Sequence, residues 1–279
     1  MLDFIVNEQR CSRCGLCVSD CPVRIIAMAE AGFPAIAPEK ETSCLRCQHC
    51  LAVCPTAAVS ILGLDPEGST PLAGNYPDPD QLATLMKGRR SVRSYRPENL
   101  DPALVQRLLE TAWHAPTGHN ARQVRFTVVD DRQTMVDLRT EVMAGLGRLA
   151  EEGKLPGEME FFAGFVRLWK EKGRDIIFRD APHLLLASAP RGAGTPLEDS
   201  LISLSYFELF AQDLGIGTVW NGFARWAIAD LLPEVRQRLG IPEDHLVGGA
   251  ISFGPPAIRY CRTVQYRQPI IHRVDRSRT

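Results

Sequence analysis

Eight of the nine cysteines fall in two runs of identical spacing near the N-terminus. The first is Cys11, Cys14, Cys17 and Cys21, followed by Pro22. The second is Cys44, Cys47, Cys50 and Cys54, followed by Pro55. Each cysteine of the first run has a counterpart at one constant offset in the second, so the segment is an internal repeat. Thiols at this density must be cross-linked or bind metal. A disulfide framework needs an oxidising compartment, and the leader MLDFIVNEQR runs straight into Cys11 without the pattern of a secretory signal. Zinc sites favour two C-x2-C pairs split by a longer loop, rather than triplets with a trailing Cys-Pro.

The spacing C-x2-C-x2-C-x3-C-P is that of bacterial ferredoxins, which ligate [4Fe–4S] clusters. Three closely spaced thiolates wrap three corners of one cubane, and the fourth, before its proline, ligates the other cluster. The spacing therefore predicts one cluster on Cys11, Cys14, Cys17 and Cys54, and a second on Cys44, Cys47, Cys50 and Cys21. Residues 1–62 form this cluster domain, with short β-prone pieces at 4–6 and 58–62. So small a doubled motif needs its metal to fold.

A length of 279 residues allows about two domains. Residues 63–80 read as a linker, being rich in Gly, Pro and Asp, and residues 81–279 are left to build a second core. A net charge of −1 gives no global case for nucleic acid or membrane binding. No apolar run approaches the ~18–20 residues of a spanning helix. A reducing, cytoplasmic setting is expected. Helical spacing marks 82–88, a helix opened by Asp101-Pro102 and stopped at Ala115-Pro116, and further helices at 132–149, 158–172, 197–214 and 227–239. Strands are expected at 124–129, 183–189, 217–220 and 247–253, giving an α+β chain overall. The C-terminal stretch after the last strand carries no period. From Ala257 onward it holds six arginines against one aspartate, and Arg276 is expected in a free tail.

The turn Arg89-Arg90-Ser91-Val92-Arg93 can clamp a phosphate through charge-assisted hydrogen bonds, although such a turn is more often plain surface. Next come Ala115-Pro116-Thr117-Gly118-His119-Asn120-Ala121-Arg122-Gln123, then Gly215-Ile216-Gly217-Thr218-Val219-Trp220-Asn221-Gly222-Phe223, then Phe253-Gly254-Pro255-Pro256 and the Arg262 and Arg267 region. In that order these segments resemble the nitroreductase family of FMN flavoproteins. The resemblance covers about 81–279. Thr117 stands where serine is usual, Val124 where tryptophan is common, and Phe253 departs from the usual terminal motif.

The resemblance implies an α/β nitroreductase-like domain with a central, mostly antiparallel sheet, and FMN shared across a homodimer. It implies that Arg89, Ser91 and Arg93, with Arg90 adjoining, hold the phosphate, ribityl and pyrimidine edge. Thr117 and Asn120 would reach the flavin of the partner subunit, with Gln123 nearby. Val219, Asn221 and Gly222 would lie against the ring. Arg267, with Arg262 as second choice, would bind phosphate from a C-terminal dimer arm.

No catalytic acid–base pair stands out. His114 and His119 read as structural or rim residues, Cys261 as a free thiol, and Phe162, Phe165 and Trp169 as packing. The expected function is an oxidoreductase that takes electrons from an external low-potential donor such as a ferredoxin. They pass through two [4Fe–4S] clusters to FMN and on to a small organic acceptor. A non-catalytic electron-transfer subunit and a dehydrogenase running in reverse remain open alternatives.

Overall fold

The computed structural model describes residues 2–274; Met1 and 275–279, including Arg276, lie outside the described residues. The chain divides into two compact units: Met1–Pro77 with Pro116–Gln123, and Asp78–Ala115 with Val124–Thr279. The segment Pro116–Gln123, read from sequence as part of the second domain, thus folds with the cysteine-rich unit.

In the first unit β1 (Ile5–Val6) is followed by the one-turn helix α1 (Leu16–Ser19), then β2 (Ile26–Met28) and β3 (Pro34–Ile36). A second one-turn helix, α2 (His49–Ala52), leads to β4 (Val59–Ser60). Strand β1 pairs antiparallel with β4, and β2 with β3. The β2–β3 hairpin has no counterpart in the sequence reading, because each strand is only three residues long and Pro34 opens the second. The internal repeat recurs in the backbone. Arg13 and Arg46 have φ of 55° and 52°, Gly15 and Gln48 71° and 61°, Arg24 and Ala57 53° and 49°. Each pair is separated by the same offset as the paired cysteines, so both cysteine loops curl the same way. The core is thin, made from Leu2, Ile25, Ile26, Leu51, Val59 and Ile61 with Cys17, Cys21 and Cys50 among them.

The second unit opens with α3 (Pro79–Gly88) and α4 (Pro102–Trp113). Asp101 accepts from the Ala103 N–H at 2.8 Å with Pro102 at the first turn, the arrangement the sequence predicts. Then follow β5 (Arg125–Val129), α5 (Arg132–Glu151), α6 (Phe161–Lys172), β6 (His183–Pro190) and α7 (Pro196–Asp213). The chain continues through β7 (Gly217–Trp220), α8 (Gly222–Trp226), α9 (Pro233–Arg238) and β8 (His245–Gly254). The sheet runs β5-β6-β8-β7, with each neighbouring pair antiparallel.

Strand β6 is buried on both faces, and its side chains alternate between two cores. Leu184 and Leu186 pack with Leu138, Val142, Leu146 and Phe162 of α5 and α6. Leu185 and Ala187 pack with Leu108, Leu204 and Phe207 of α4 and α7. The helix expected over 227–239 is broken. Residues Ala227–Leu231 form a single π turn, and Leu232 leaves helical geometry at φ −124°, ψ 77°. Pro233 is the cause, since its ring disfavours a helical Leu232 and removes an N–H.

Candidate functional site

The cysteines gather as two sets. Cys21, Cys44, Cys47 and Cys50 line one small cavity with Ile25 and Ile61. Burial pushes the Cys50 thiol up to about 11, and the adjacent Cys47 and Cys44 add to the rise. In the other set, burial raises the Cys17 thiol, with Cys54 and Cys11 close enough to contribute. Backbone N–H groups aim at the sulfurs. Ala58 donates to Cys54 Sγ at 3.2 Å and Arg46 to Cys44 Sγ at 3.3 Å. At Cys54 burial pushes the thiol up, but the Ala58 N–H and Thr56 together outweigh it and the net shift is downward. Cys14 is lowered chiefly by the Leu16 N–H and then by Ser12. Among the described residues no three Cys, His, Asp or Glu side chains converge on a single-ion site. One zinc would need its thiolates about 2.3 Å from a common point, whereas a cubane takes each thiolate on a separate iron.

Beside this cage sits the segment Pro116–Gln123. Thr117 Oγ1 accepts from the Arg122 N–H at 3.0 Å. Asn120 Nδ2 donates to the carbonyls of Leu45 and Arg46, at 2.9 and 3.1 Å. Both acceptors lie between Cys44 and Cys47. Asn120, which the resemblance gives to a partner's flavin, here has both amide protons on the cysteine loop. Gln123 and His119 are exposed, and Thr117 is half-buried.

In the second unit the arginine turn lies along β7. The Val92 N–H donates to Thr218 O at 2.8 Å, and Ser91 bridges to Thr218 in parallel. Gly217 permits this approach: a Cβ there would sit 2.8 Å from Val92 Cγ1. Arg89 Nη1 reaches Glu208 Oε1 at 2.9 Å, while Trp220 Nε1 donates to Glu208 Oε2 at 2.9 Å. Arg90 donates to Lys87 O at 3.2 Å and to the Tyr266 hydroxyl at 3.4 Å, and Arg93 to Ser91 O at 3.2 Å. Tyr260 Oη lies 3.5 Å from Ser91 O, which brings the C-terminal arm to the same turn. Arg262 lines a groove there with Gly88, Val92, Gly217 and Tyr260, whereas Arg267 is exposed and is not among its lining residues.

Val219 is buried in β7 opposite Ser252. Asn221 is buried. Its N–H donates to Ala250 O at 2.8 Å and its Nδ2 to Ile177 O and Ser252 Oγ, while its Oδ1 accepts from Ala224. It has no donor left for a ligand and serves to anchor the turn from β7 into α8. Gly222, next along, is exposed. Phe162 is buried in the core, and Phe165 and Trp169 pack against it. Cys261 is exposed. Glu208 is the residue sequence reasoning missed; its only signal is a lone carboxylate within the apolar stretch that becomes α7.

A model of the nitroreductase family matches residues 86–255, more than half of the chain. The chain belongs to the nitroreductase family. A model of a 4Fe-4S dicluster domain matches residues 10–58. A relative described as a putative NADH dehydrogenase/NAD(P)H nitroreductase, from Methanothermobacter thermautotrophicus, is 24% identical over 176 residues, covering 62% of this chain and 75% of its own. Nitroreductase NfnB of Mycolicibacterium smegmatis is 28% identical over 195 residues, covering 61% and 80%. A nitroreductase with bound FMN from Desulfitobacterium hafniense is 26% identical with a TM-score of 0.55, covering 70% of this chain and 98% of that one. One from Bacteroides fragilis shares the fold at 22% identity and a TM-score of 0.55, covering 69% and 99%. This nitroreductase-family chain is an FMN-dependent oxidoreductase with an N-terminal 4Fe-4S domain.

The donor set fits an anionic cofactor. Arg89, Arg90, Ser91 and Arg93 lie together on one turn, and Arg90 Nε is buried without a hydrogen-bond partner.

Proposed function

We propose that this protein takes electrons singly from an external low-potential donor, such as a ferredoxin, through two [4Fe–4S] clusters to FMN, and reduces a small organic acceptor. The observation that carries this reading is the pairing, in one chain, of two cysteine sets with an arginine turn laid against β7. Clusters move one electron at a time, and FMN, when bound, supplies the store of two that an organic acceptor needs.

In this reading Cys11, Cys14, Cys17 and Cys54 hold one cluster, and Cys21, Cys44, Cys47 and Cys50 the other. Backbone N–H groups at Cys44 and Cys54 stabilise charge on the thiolates. Arg90, Ser91 and Arg93, with Arg262 from the arm, bind the phosphate and the pyrimidine edge. Arg89 contributes its charge while pinned by Glu208. The exposed Gly222 and the buried Val219 shape the floor for the ring. The domains are a cluster unit at 1–62, a linker at 63–80 and a flavin unit at 81–279, within which Pro116–Gln123 serves the cluster unit.

A homodimer is part of the proposal. The arm exposes Tyr266, Ile270, Ile271 and Val274, apolar groups that a second copy would cover. A cytoplasmic setting follows from the reduced thiols a cluster requires. Among the described residues no helix is long and apolar enough to cross a membrane.

The test is anaerobic reduction of the purified holoprotein, followed by a screen of small molecules for flavin reoxidation. Reoxidation by an organic acceptor, with turnover, supports the proposal. Reduction of the protein by an oxidisable small molecule would reverse the direction, and reactivity towards neither would leave only an electron-transfer subunit.

A further inference from the structure

The two cysteine loops repeat in sequence and backbone, yet Asn120 braces only one of them. Its Nδ2 donates to the Leu45 carbonyl at 2.9 Å. That carbonyl belongs to the same peptide unit as the Arg46 N–H, which donates to Cys44 Sγ at 3.3 Å. The amide, the peptide and the sulfur therefore form one chain of hydrogen bonds. A second donation, to Arg46 O at 3.1 Å, fixes the amide's orientation, since two carbonyl acceptors require its nitrogen there. In such a chain each bond polarises the next, so the Asn120 donor strengthens the Arg46 N–H as a donor to sulfur. The counterpart of Leu45 in the first loop is Ser12. Asn120 has nothing to offer it, because both protons of its amide are spent on the second loop.

Asn120 is held firmly where it stands. His119, Asn120 and Arg122 have φ of 51°, 55° and 52°, left-handed backbone without glycine. Such backbone is strained and persists only where surrounding bonds fix it. Those bonds are present: Asn120 N–H to Thr117 O at 3.0 Å, and Arg122 N–H to Thr117 Oγ1 at 3.0 Å.

We propose that Asn120 raises the reduction potential of the iron–sulfur site held by Cys21, Cys44, Cys47 and Cys50, and of that site alone. It is a positioning residue, acting through the Leu45–Arg46 peptide. One added electron makes a cluster's sulfurs more negative, so a stronger N–H donor stabilises the reduced form more than the oxidised form. The site tied to Pro116–Gln123 therefore carries one potential-raising hydrogen-bond chain that the other loop lacks. The inference rests on the reading that both cysteine sets hold clusters.

The test is a redox titration of the holoprotein monitored by electron paramagnetic resonance, with Asn120→Ala and Asn120→Asp compared to wild type. Iron and sulfide are assayed first; zinc, or iron for a single cluster, would overturn the cluster reading and the inference with it. Given two clusters, Asn120→Ala is expected to move one cluster to lower potential and leave the other in place. Asn120→Asp keeps the shape but replaces the donor with a negative charge, and should move the same cluster further. It also serves as the reading should the alanine variant fail to hold iron. Two clusters that shift together, or neither shifting, would overturn the proposal.

Discussion

Arg89 and Trp220 share one buried carboxylate: Glu208 accepts from the guanidinium with one oxygen and from the indole N–H with the other, both at 2.9 Å. The arrangement ties the arginine turn to β7 through α7. Glu208→Gln retains an acceptor for Trp220 but loses the charge facing Arg89. It is expected to weaken FMN binding about tenfold, equivalent to about 1.4 kcal/mol, measured by fluorescence titration of the apoprotein. Glu208→Ala leaves the half-buried Arg89 unpaired and should cost more, on the order of 3 kcal/mol in folding stability by denaturant titration. Unchanged FMN affinity in both variants would remove Glu208 from the site.

Gly217→Ala places a methyl 2.8 Å from Val92 Cγ1, in a buried part of β7. A loss of about 1–3 kcal/mol is expected. The double variant with Val92→Ala should recover part of that loss. If the two losses simply add in denaturant unfolding, the close approach is not what requires glycine.

His183 gives the second unit a pH dependence. The ring is buried, accepts from the Leu100 N–H at 3.0 Å through Nε2, and leaves Nδ1 without a partner. Burial lowers its pKa to about 4 from 6.5, against the smaller opposing pull of Asp130 and Asp131. The unfolded chain thus binds more protons between these values. Stability contributed by the neutral ring is present above 6.5 and is lost as pH falls towards 4, by at most about 3 kcal/mol. Denaturant midpoints across this range should fall with acid in wild type and fall less in His183→Gln.

The two cysteine sets make separate predictions. Cys54 lies near Cys14 and Cys17, while Cys21 lines the cavity of Cys44, Cys47 and Cys50. Cys54→Ser should perturb one cluster and Cys21→Ser the other, seen as loss or change of different components in low-temperature spectra. Cys54→Ser should alter the same component as Cys14→Ser, and Cys21→Ser the same component as Cys47→Ser; the opposite pairing would show that the sets are not crossed.

The parts of the molecule with fixed spacing were legible in the sequence. The eight cysteines, the helix opened by Asp101-Pro102 and the apolar strand β6 each follow from local rules. The relationships that depend on distant partners were not. Glu208 meets Arg89 from 119 residues away, and one acid among the apolar residues in the middle of α7 carries no pattern. The side chain of Asn221 closes a turn through Ile177 and Ser252, 44 and 31 residues away, partners that its local motif does not signal. Asn120 lies 75 residues from Leu45, so its place on the cysteine loop could not be read from the segment around it. The break at Leu232 was signalled by Pro233, and the helical period on either side obscured it.

The central claim is that one chain joins two clusters to a flavin. Anaerobic titration of the holoprotein with a low-potential one-electron reductant tests it most directly, with flavin and cluster absorbance followed together. About four electrons per chain are expected, one for each cluster and two for FMN. An endpoint at about two electrons, with bleaching of the flavin alone, would contradict it.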